Sequence, residues 1–291
     1  MSQPPSAPNA EQIRYWNELA AASWIAQQER IDQQMQPLGE RALARAAAAP
    51  GEAVLDVGCG CGTSSLALAR AVGPKGRVLG VDISRPMLER ARARAAAENH
   101  PQLRFEEVDA QTAELEPAAF DLLFSRFGVM FFADPAAAFA NLRRALRPGA
   151  RVTFVCWQAL ARNAWMTVPL GAVAKHLPLP APPPPGSPGP FAFADAERLK
   201  GLLERAGLAE TAFEDLQLPL TVGGGELESA VEFLLQVGPV GAILREAAAS
   251  PELLQRVAGS LREALVPFVT AGAGLRMPAA AWLVTARNPG R

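Results

Sequence analysis

Residues 56–62 read Asp-Val-Gly-Cys-Gly-Cys-Gly, and this glycine-rich segment constrains the fold more than any other part of the chain. It follows a short apolar run at 53–57 and precedes a helical pattern at 63–71. Glycines allow a tight turn and let a ligand approach the backbone, because no side chain stands in the way. The first turn of the following helix offers free N–H groups. The segment is therefore predicted to be a ligand-binding turn between a strand and a helix.

Strand and helix patterns alternate on both sides of this turn. Strands are predicted at 53–57, 77–82, 103–108, 120–125 and 151–156, and helices at 63–71, 84–99 and from 134 onward. Such alternation is typical of a doubly wound α/β fold, in which helices cover both faces of a parallel sheet. Ligands bind beyond the carboxyl ends of the strands in these sheets. The loops after residues 57, 82, 108 and 125 are therefore the predicted site.

Helical and proline-rich segments flank this pattern. We predict a disordered tail at 1–9, an N-terminal helical cap at 10–49 (helices at 10–30 and 33–49) and a cofactor-binding core at 50–156. The remainder, 157–291, holds a proline-rich connector at 178–190, with eight prolines in thirteen residues, and substrate-cap helices at 226–272. It also holds a helix at 195–207 and strands at 210–222 and 279–286.

Composition narrows the partners. The chain has 291 residues and a net charge of -1, with Arg and Glu interleaved, which disfavours nucleic acid as a partner. No run reaches the ~20 apolar residues of a membrane span, and the polar start does not resemble a signal peptide. The three cysteines lack the spacing of a zinc site, and no His, Cys and carboxylate cluster indicates a metal. We expect a cytoplasmic enzyme without metal, with a small-molecule acceptor and a possible homodimer.

Two carboxylates follow the next two predicted strands. Asp82 ends the second strand, 20 residues after Gly62, where a carboxylate can accept hydrogen bonds from a ribose diol. Asp109 ends the third strand and is placed to accept from an adenine amino group, with the backbone of Ala110 beside the ring. Ser84 is predicted to cap the helix that follows Asp82. The two carboxylates indicate a cofactor that contains adenosine.

A nicotinamide cofactor is the nearest alternative, because it also contains adenosine. Its fingerprint is G-x-G-x-x-G, whereas position 63 here is Thr in place of the last glycine. The sequence therefore favours another cofactor.

The chain resembles the class I methyltransferases, especially the small-molecule enzymes grouped with ubiquinone and menaquinone biosynthesis. The resemblance rests on residues 54–60, 80–84, 108–110, 120–121, 125–135 and 146–149. It implies S-adenosylmethionine as cofactor and a Rossmann-like, seven-stranded sheet whose last strand, 279–286, is antiparallel.

Carried over by position, the resemblance also assigns roles. Gly58, Gly60 and Gly62 would approach the methionine part and the ribose, Asp56 would hold the ammonium group, and Asp82 would bind the ribose hydroxyls. Ile83, Asp109 and Ala110 would contact the adenine, and the backbone of Ser125 or Arg126 would meet the amino acid end.

Aromatic residues are the candidates for the acceptor side. The predicted substrate-binding residues are Tyr15, Trp16, Trp24, Phe127, Met130, Phe131, Trp157 and Trp165. The three on the first helix are equally compatible with plain packing. His176 is either a general base or an exposed histidine before the connector.

The residues and the resemblance together predict a biosynthetic methyltransferase. It would transfer a methyl group to an O, N, C or S atom of a small, largely apolar molecule. Catalysis would rely mainly on proximity and orientation. Two other functions stay open: a nicotinamide-dependent oxidoreductase, and a cofactor-binding subunit without chemistry.

Overall fold

One twisted sheet organises the protein in the computed structural model, which describes residues 9–290. Its strands are β1 (Ala53–Val57), β2 (Arg77–Asp82), β3 (Leu103–Glu107), β4 (Phe120–Arg126), β5 (Leu146–Trp157), β6 (Ala209–Thr221), β7 (Val269–Thr270) and β8 (Gly274–Arg287). The order across the sheet is β3-β2-β1-β4-β5-β8-β6, and the short β7 pairs only with β8. Neighbours from β3 to β5 are parallel, whereas β8 is antiparallel to both β5 and β6. The predicted doubly wound sheet with an antiparallel last strand is confirmed.

Eleven α-helices are present in residues 9–290. They are α1 (Ala10–Arg14), α2 (Ala21–Ala26), α3 (Gln28–Ala46), α4 (Thr63–Val72), α5 (Arg85–Glu98), α6 (Pro135–Ala145), α7 (Ala164–Ala174), α8 (Ala196–Arg205), α9 (Leu227–Gln236), α10 (Gly238–Glu246) and α11 (Pro251–Leu265). Local chemistry fixes several helix starts, because a side-chain oxygen can accept from an otherwise free N–H group. Asp134 accepts from Ala137 N at 3.0 Å, and Ser250 accepts from Leu253 N at 3.3 Å.

The sheet core is apolar on both faces. Every residue of β1 is buried, as expected of a parallel strand covered by helices on both sides. Phe124, Phe139 and Phe154 are among the largest fully buried side chains, and they come from β4, α6 and β5. This packing holds the carboxyl ends of β1 to β4 in fixed positions.

The N-terminal region differs from its predicted helices. In place of the single helix predicted at 10–30, the structure has α1, one π-helical turn (Tyr15–Leu19) and α2. The helix predicted at 33–49 corresponds to α3, which begins earlier, at Gln28, and contains Pro37. Helix α3 packs against β4, β5 and β6. Proline is disfavoured in the interior of a helix, so the packing of α3 on the sheet must stabilise the helix around Pro37.

Two strands are longer than predicted. β5 begins at Leu146, because that residue pairs with Phe120 of β4. The register then shifts at an irregularity, and pairing continues from Leu122 with Arg151. β8 begins at Gly274, because Arg276 pairs with Thr221 of β6 and the two residues before it pair with β7. The segment 178–190 contains neither helix nor strand, and its first eight residues are exposed.

A helical layer lies beside the sheet, where α7, α9, α10 and α11 pack against one another. Within residues 9–290 no single helix has the length and apolar character needed to cross a membrane. The pair α9 and α10 meets that test only when combined, and the two helices are bent by 52°. Their buried residues include Phe233, Leu234 and Val240, so this pair contributes apolar side chains to the layer.

Candidate functional site

The glycine turn after β1 lies directly against the loop after β4. Gly58 has φ of 66°, and a Cβ added to it would stand 2.5 Å from Gly128 Cα. A Cβ on Gly128 would stand 2.6 Å from Gly58 Cα and from Val57 O. Both positions therefore require glycine, and together they let the two loops touch through their backbones. Gly128 was not among the predicted site residues, although it follows the fourth strand within the resembling segment.

The other two glycines of the turn have different surroundings. Gly60 has φ of 53°, and a Cβ there would meet only Met87 Sδ at 3.8 Å. Gly62 has φ of 83° and is buried, and its Cβ would lie 3.0 Å from both Ala91 Cβ and the Phe105 ring. Gly62 thus lets the start of α4 approach Ala91 of α5 and Phe105 of β3 closely, and its predicted approach to the cofactor stays a prediction.

Asp56 is a fully buried carboxylate with one free oxygen. Its Oδ2 accepts from Ser64 Oγ at 2.7 Å and from Ser65 Oγ at 2.6 Å, both in the first turn of α4. Its Oδ1 is buried and has no partner among the described residues. Burial raises the pKa of Asp56 from 3.8 to about 6, because water no longer solvates the charged form. A buried, unpartnered carboxylate oxygen fits a ligand that brings a cation or an N–H donor.

Asp82 joins the first two loops. Its Oδ2 accepts from Gly60 N and its Oδ1 from Ser84 N, both at 2.8 Å. Burial raises the pKa of this half-buried carboxyl. The Ser84 hydroxyl donates to Trp16 O at 2.8 Å and makes no side-chain cap, which corrects its predicted role. Asp82 is therefore fixed at the edge of the glycine turn.

The N-terminal segment is tied across the same edge of the sheet. Asn9 is buried; its Nδ2 donates to Asp109 Oδ1 at 2.9 Å, and its Oδ1 accepts from Ala133 N at 2.8 Å. Farther along, Asn17 Nδ2 donates to Ile83 O at 2.9 Å. Asn9 was predicted to belong to the disordered tail, and its hydrogen bonds correct that assignment; residues 1–8 lie outside the described part. A lone asparagine offered no sequence signal for this contact.

The residues after β3 are held by neighbouring side chains. Asp109 Oδ1 also accepts from Gln111 N at 2.9 Å, which turns the backbone around the carboxylate. Ala110 is buried, and its carbonyl accepts from Asn141 Nδ2 at 3.1 Å. Asp109, half-buried, thus stands at the carboxyl end of β3, on the same edge as Asp56 and Asp82.

Asp32 on α3 connects the glycine turn to the end of β4. It accepts from Arg126 Nη2 at 2.9 Å and from Thr63 Oγ1 at 2.6 Å, and it also accepts from Gln28 Nε2. Arg94 Nη1 lies 3.7 Å from its carboxylate. Burial would raise the pKa of Asp32, but the Arg126 charge and these hydrogen bonds outweigh burial and lower it. Sequence reasoning missed Asp32, because nothing in its local pattern reveals a partner 94 residues away.

Ser125 joins β4 to β1. Its Oγ donates to Val57 O at 2.7 Å and accepts from Gly128 N at 3.2 Å. The side chains of Ser125 and Arg126 are thus engaged within the protein, which leaves only their backbone atoms for the predicted contact with the amino acid end of the cofactor.

Two groups of aromatic rings stand above this edge. Trp16 makes edge contacts with Tyr15, Trp24 and Phe131, with ring centroids 5.2, 5.3 and 5.1 Å away. The second group is Phe127, stacked on Trp157 at 4.2 Å, with Trp165 at 5.1 Å from Trp157. These groups contain seven of the eight predicted substrate-binding residues.

Phe127 is held in an unusual backbone conformation. Its φ is 64°, which is uncommon for a bulky side chain, and its N–H donates to Val155 O at 3.1 Å. Stacking on Trp157 holds the ring in place. Such a strained residue at a loop is typical of functional sites. Met130, the eighth predicted residue, is only 1% exposed, and its Sδ accepts a hydrogen bond from the backbone N–H of Trp157. It therefore packs beneath the second aromatic group as part of the core.

An apolar cavity lies between α2, α3, α7, α9 and α10. Its volume is about 50 Å³, and it is partly open to solvent. Trp24 and Trp165 line it together with Met166, Phe233 and Gln34. The cavity therefore receives one ring from each aromatic group.

His176 lies away from this cavity. It follows the carboxyl end of α7, its Nε2 is 2.8 Å from Ser260 Oγ on α11, and it is not among the cavity-lining residues. Its predicted role as a base stays a prediction. Within residues 9–290 no three His, Cys, Asp or Glu side chains form a group that would hold a metal ion.

Comparisons with known proteins identify a domain family within the chain. Residues 54–149 match the methyltransferase domain family. Aklanonic acid methyltransferase from Streptomyces sp. (strain C5) is 34% identical over 118 residues, which is 40% of this chain and 54% of that protein. 2-Phytyl-1,4-naphtoquinone methyltransferase from Trichormus variabilis is 37% identical over 118 residues, 40% of this chain and 51% of that protein. This chain thus spans about half the length of these curated relatives.

A solved structure extends the likeness beyond the matched domain. Haemonchus contortus phosphoethanolamine N-methyltransferase 2, in complex with S-adenosyl-L-methionine, superposes with a TM-score of 0.54 over 87% of this chain and 53% of that chain. The two are 19% identical, so this likeness shows a shared fold.

Proposed function

We propose that this chain, whose residues 54–149 are a methyltransferase domain of the class I S-adenosylmethionine-dependent type, transfers a methyl group from S-adenosylmethionine to a small, largely apolar acceptor. The methylated atom is O, N, C or S, and the acceptor is a polycyclic aromatic or quinone-type molecule. Transfer relies mainly on proximity and orientation.

One observation carries the proposal: Asp56, Asp82 and Asp109 stand at the carboxyl ends of β1, β2 and β3 on one edge of the sheet. In the proposed site, the free Oδ1 of Asp56 serves the ammonium group of the cofactor, through water or directly. Asp82 serves the ribose hydroxyls, since each of its oxygens keeps a lone pair beyond its one backbone hydrogen bond. Asp109 Oδ2 and the Ala110 backbone serve the adenine edge.

The cofactor, when bound, supplies an electrophilic methyl group on a positively charged sulfur. The chain's own part is to orient and to exclude water. Trp16, Trp24 and Phe131 cover the site from the N-terminal side, and the hydrogen bonds of Asn9 and Asn17 hold that side closed. Alignment of two bound reactants can supply about 7–11 kcal/mol of a barrier. A dry, aromatic enclosure also suits a reaction in which charge disappears.

The lining of the cavity and the names of two relatives support the proposed acceptor class. Trp24, Trp165 and Phe233 offer flat apolar surfaces, and the cavity holds no ionisable side chain that would act as a base. One relative is named for a 2-phytyl-1,4-naphtoquinone and another for aklanonic acid. An acceptor whose reacting atom is already nucleophilic needs no base, which agrees with the position of His176 after α7, beside Ser260 of α11 and outside the cavity lining.

Calorimetry with S-adenosylmethionine and with NADH is the first test. Binding of the former and not of the latter supports the proposal, whereas the reverse result indicates a nicotinamide-dependent oxidoreductase. Incubation with methyl-labelled cofactor and a panel of hydroxylated naphthalenes and naphthoquinols is the second test. Cofactor binding without label transfer to any compound, in a panel widened to thiols and amines, would indicate a binding subunit and overturn the proposed reaction.

A further inference from the structure

Gln34 on α3 is a fully buried amide with no hydrogen-bond partner. Its exposure is 0%, and neither Nε2 nor Oε1 has a partner among the described residues. Buried polar side chains are nearly always hydrogen-bonded, because an unpaired amide loses its water contacts without compensation. Leucine would fill this position of the helix without that cost. The amide therefore has a use that the folded chain alone does not supply.

The surroundings of Gln34 are apolar. The lining of the cavity is Trp24, Ile31, Gln34, Met35, Trp165, Met166, Pro169, Phe233, Leu234, Val237, Gly238, Pro239 and Val240. Apart from the indole N–H groups, Gln34 is the only polar side chain in this set, and Trp165 Nε1 is already directed at Asn163 Oδ1 at 3.3 Å. Binding pockets for small molecules commonly combine an apolar lining with a few polar groups that fix orientation.

Gln34 is also near the residues that hold the cofactor turn. It lies two positions after Asp32 on the same helix, so the two side chains leave α3 on different faces, Gln34 towards the cavity and Asp32 towards the glycine turn. Asp32 accepts a hydrogen bond from Thr63, the residue after the glycine turn. On the other side of the cavity mouth, Trp24 touches Trp16, whose carbonyl accepts from Ser84. Helix α3 and the contact between Trp16 and Trp24 therefore connect the walls of the cavity to the residues around the glycine turn.

We infer that Gln34 is a specificity-determining residue that hydrogen-bonds an oxygen on the ring of an otherwise apolar, aromatic acceptor. The amide Nε2 donates to a ring hydroxyl or carbonyl oxygen, and Oε1 accepts from a ring hydroxyl. Aromatic side chains of the cavity contact the ring faces. This inference rests on the proposed function, and it adds the acceptor class: a ring oxygen on a fused aromatic skeleton.

The test compares two probes that differ by one hydroxyl group, 2-naphthol and naphthalene. Equilibrium dialysis with ultraviolet detection measures the dissociation constant of each probe for the wild-type protein, Gln34→Leu and Gln33→Leu. Gln33 is the matched control, since it is a neighbouring glutamine on α3 that is exposed. We expect the wild-type protein and Gln33→Leu to prefer 2-naphthol by about five- to ten-fold, the size of one net hydrogen bond. Gln34→Leu should bind both probes with the same affinity.

Equal affinities in the wild-type protein, an unchanged preference in Gln34→Leu, or no binding of either probe would overturn the inference. Thermal unfolding gives a second readout. Because Gln34→Leu removes an unpaired buried amide, its midpoint should lie above that of the wild-type protein. A lower midpoint would mean that the amide is satisfied inside the fold, for example by a buried water molecule, and would also overturn the inference.

Failure of this inference is distinguishable from failure of the proposed function. Calorimetry with S-adenosylmethionine should give the same affinity for Gln34→Leu as for the wild-type protein, because Gln34 does not contact the glycine turn. If the wild-type protein binds the cofactor and transfers its methyl group while no 2-naphthol preference exists, only the role of Gln34 is wrong. If 2-naphthol is preferred and no cofactor binds, the proposed reaction is wrong.

Discussion

Replacement of Gly128 by alanine tests the contact between the loops after β1 and β4. The added Cβ would lie 2.6 Å from Gly58 Cα and 2.6 Å from Val57 O, whereas ordinary contacts are 3.4–4 Å. Both neighbours are backbone atoms, so no side chain can rotate away. The φ of Gly128 is -81°, which alanine adopts readily, so the effect comes from the clash alone.

The expected cost is large for a single methyl group. The two loops must separate by roughly 1 Å, and overpacking of a fixed site costs about 1–3 kcal/mol. For a chain of this size the unfolding midpoint should fall by about 2–10 °C. The same displacement moves the ends of β1 and β4 apart, so the affinity for S-adenosylmethionine should fall as well. Differential scanning calorimetry and titration calorimetry measure the two effects.

Gly171 is the matched control for this substitution. It lies in α7, and an added Cβ would meet nothing within 4 Å. Gly171→Ala should therefore stabilise the protein by about 0.5–1 kcal/mol, because alanine favours a helix over glycine. A Gly128→Ala variant with wild-type stability and wild-type cofactor affinity would refute the reasoning, since it would show that the two loops do not touch in solution.

Three further predictions concern the carboxylates of the site. Asp82→Ala should weaken S-adenosylmethionine binding by about 10- to 100-fold in calorimetry, the value of hydrogen bonds to a charged group, and wild-type affinity would remove Asp82 from the site. The affinity for S-adenosylmethionine should decrease as the pH falls below about 6, because protonation then neutralises Asp56, whose pKa burial raises. Methylthioadenosine, which lacks the ammonium group, should show no such decrease, and a decrease of equal size for both ligands would contradict the assignment. Asp32→Ala should cost about 1.5–3 kcal/mol in denaturant unfolding, because it leaves the Arg126 side chain, which is 17% exposed, without its charged partner. The exposed control Glu18→Ala, which breaks the Arg14 pair, should have no measurable effect, and equal losses in both variants would refute the distinction.

The strands and helices of the core were predictable to within a few residues. Apolar runs of strand length, Asp134 before Pro135, and Ser250 before Pro251 are local signals, and the structure places elements at each of them. The starts of β5 and β8 were not predictable, because pairing with β4 and β6 decides where they begin. The predicted helix at 33–49 already included Pro37, but the start of α3 at Gln28, inside the segment assigned to the first helix, was missed.

The sequence by itself determined the glycine turn and the three carboxylates at the ends of β1 to β3. The turn depends on local backbone conformation, and each carboxylate is located by the apolar run of the strand that precedes it. A few neighbouring residues are enough to encode both features. Only the tertiary structure decided that Gly128 touches Gly58, that Asp32 pairs with Arg126, and that Gln34 is unpaired in an apolar cavity. The physical reason is that side-chain contacts and cavities depend on how elements far apart in the sequence pack, and the local pattern around each residue carries no record of its partner.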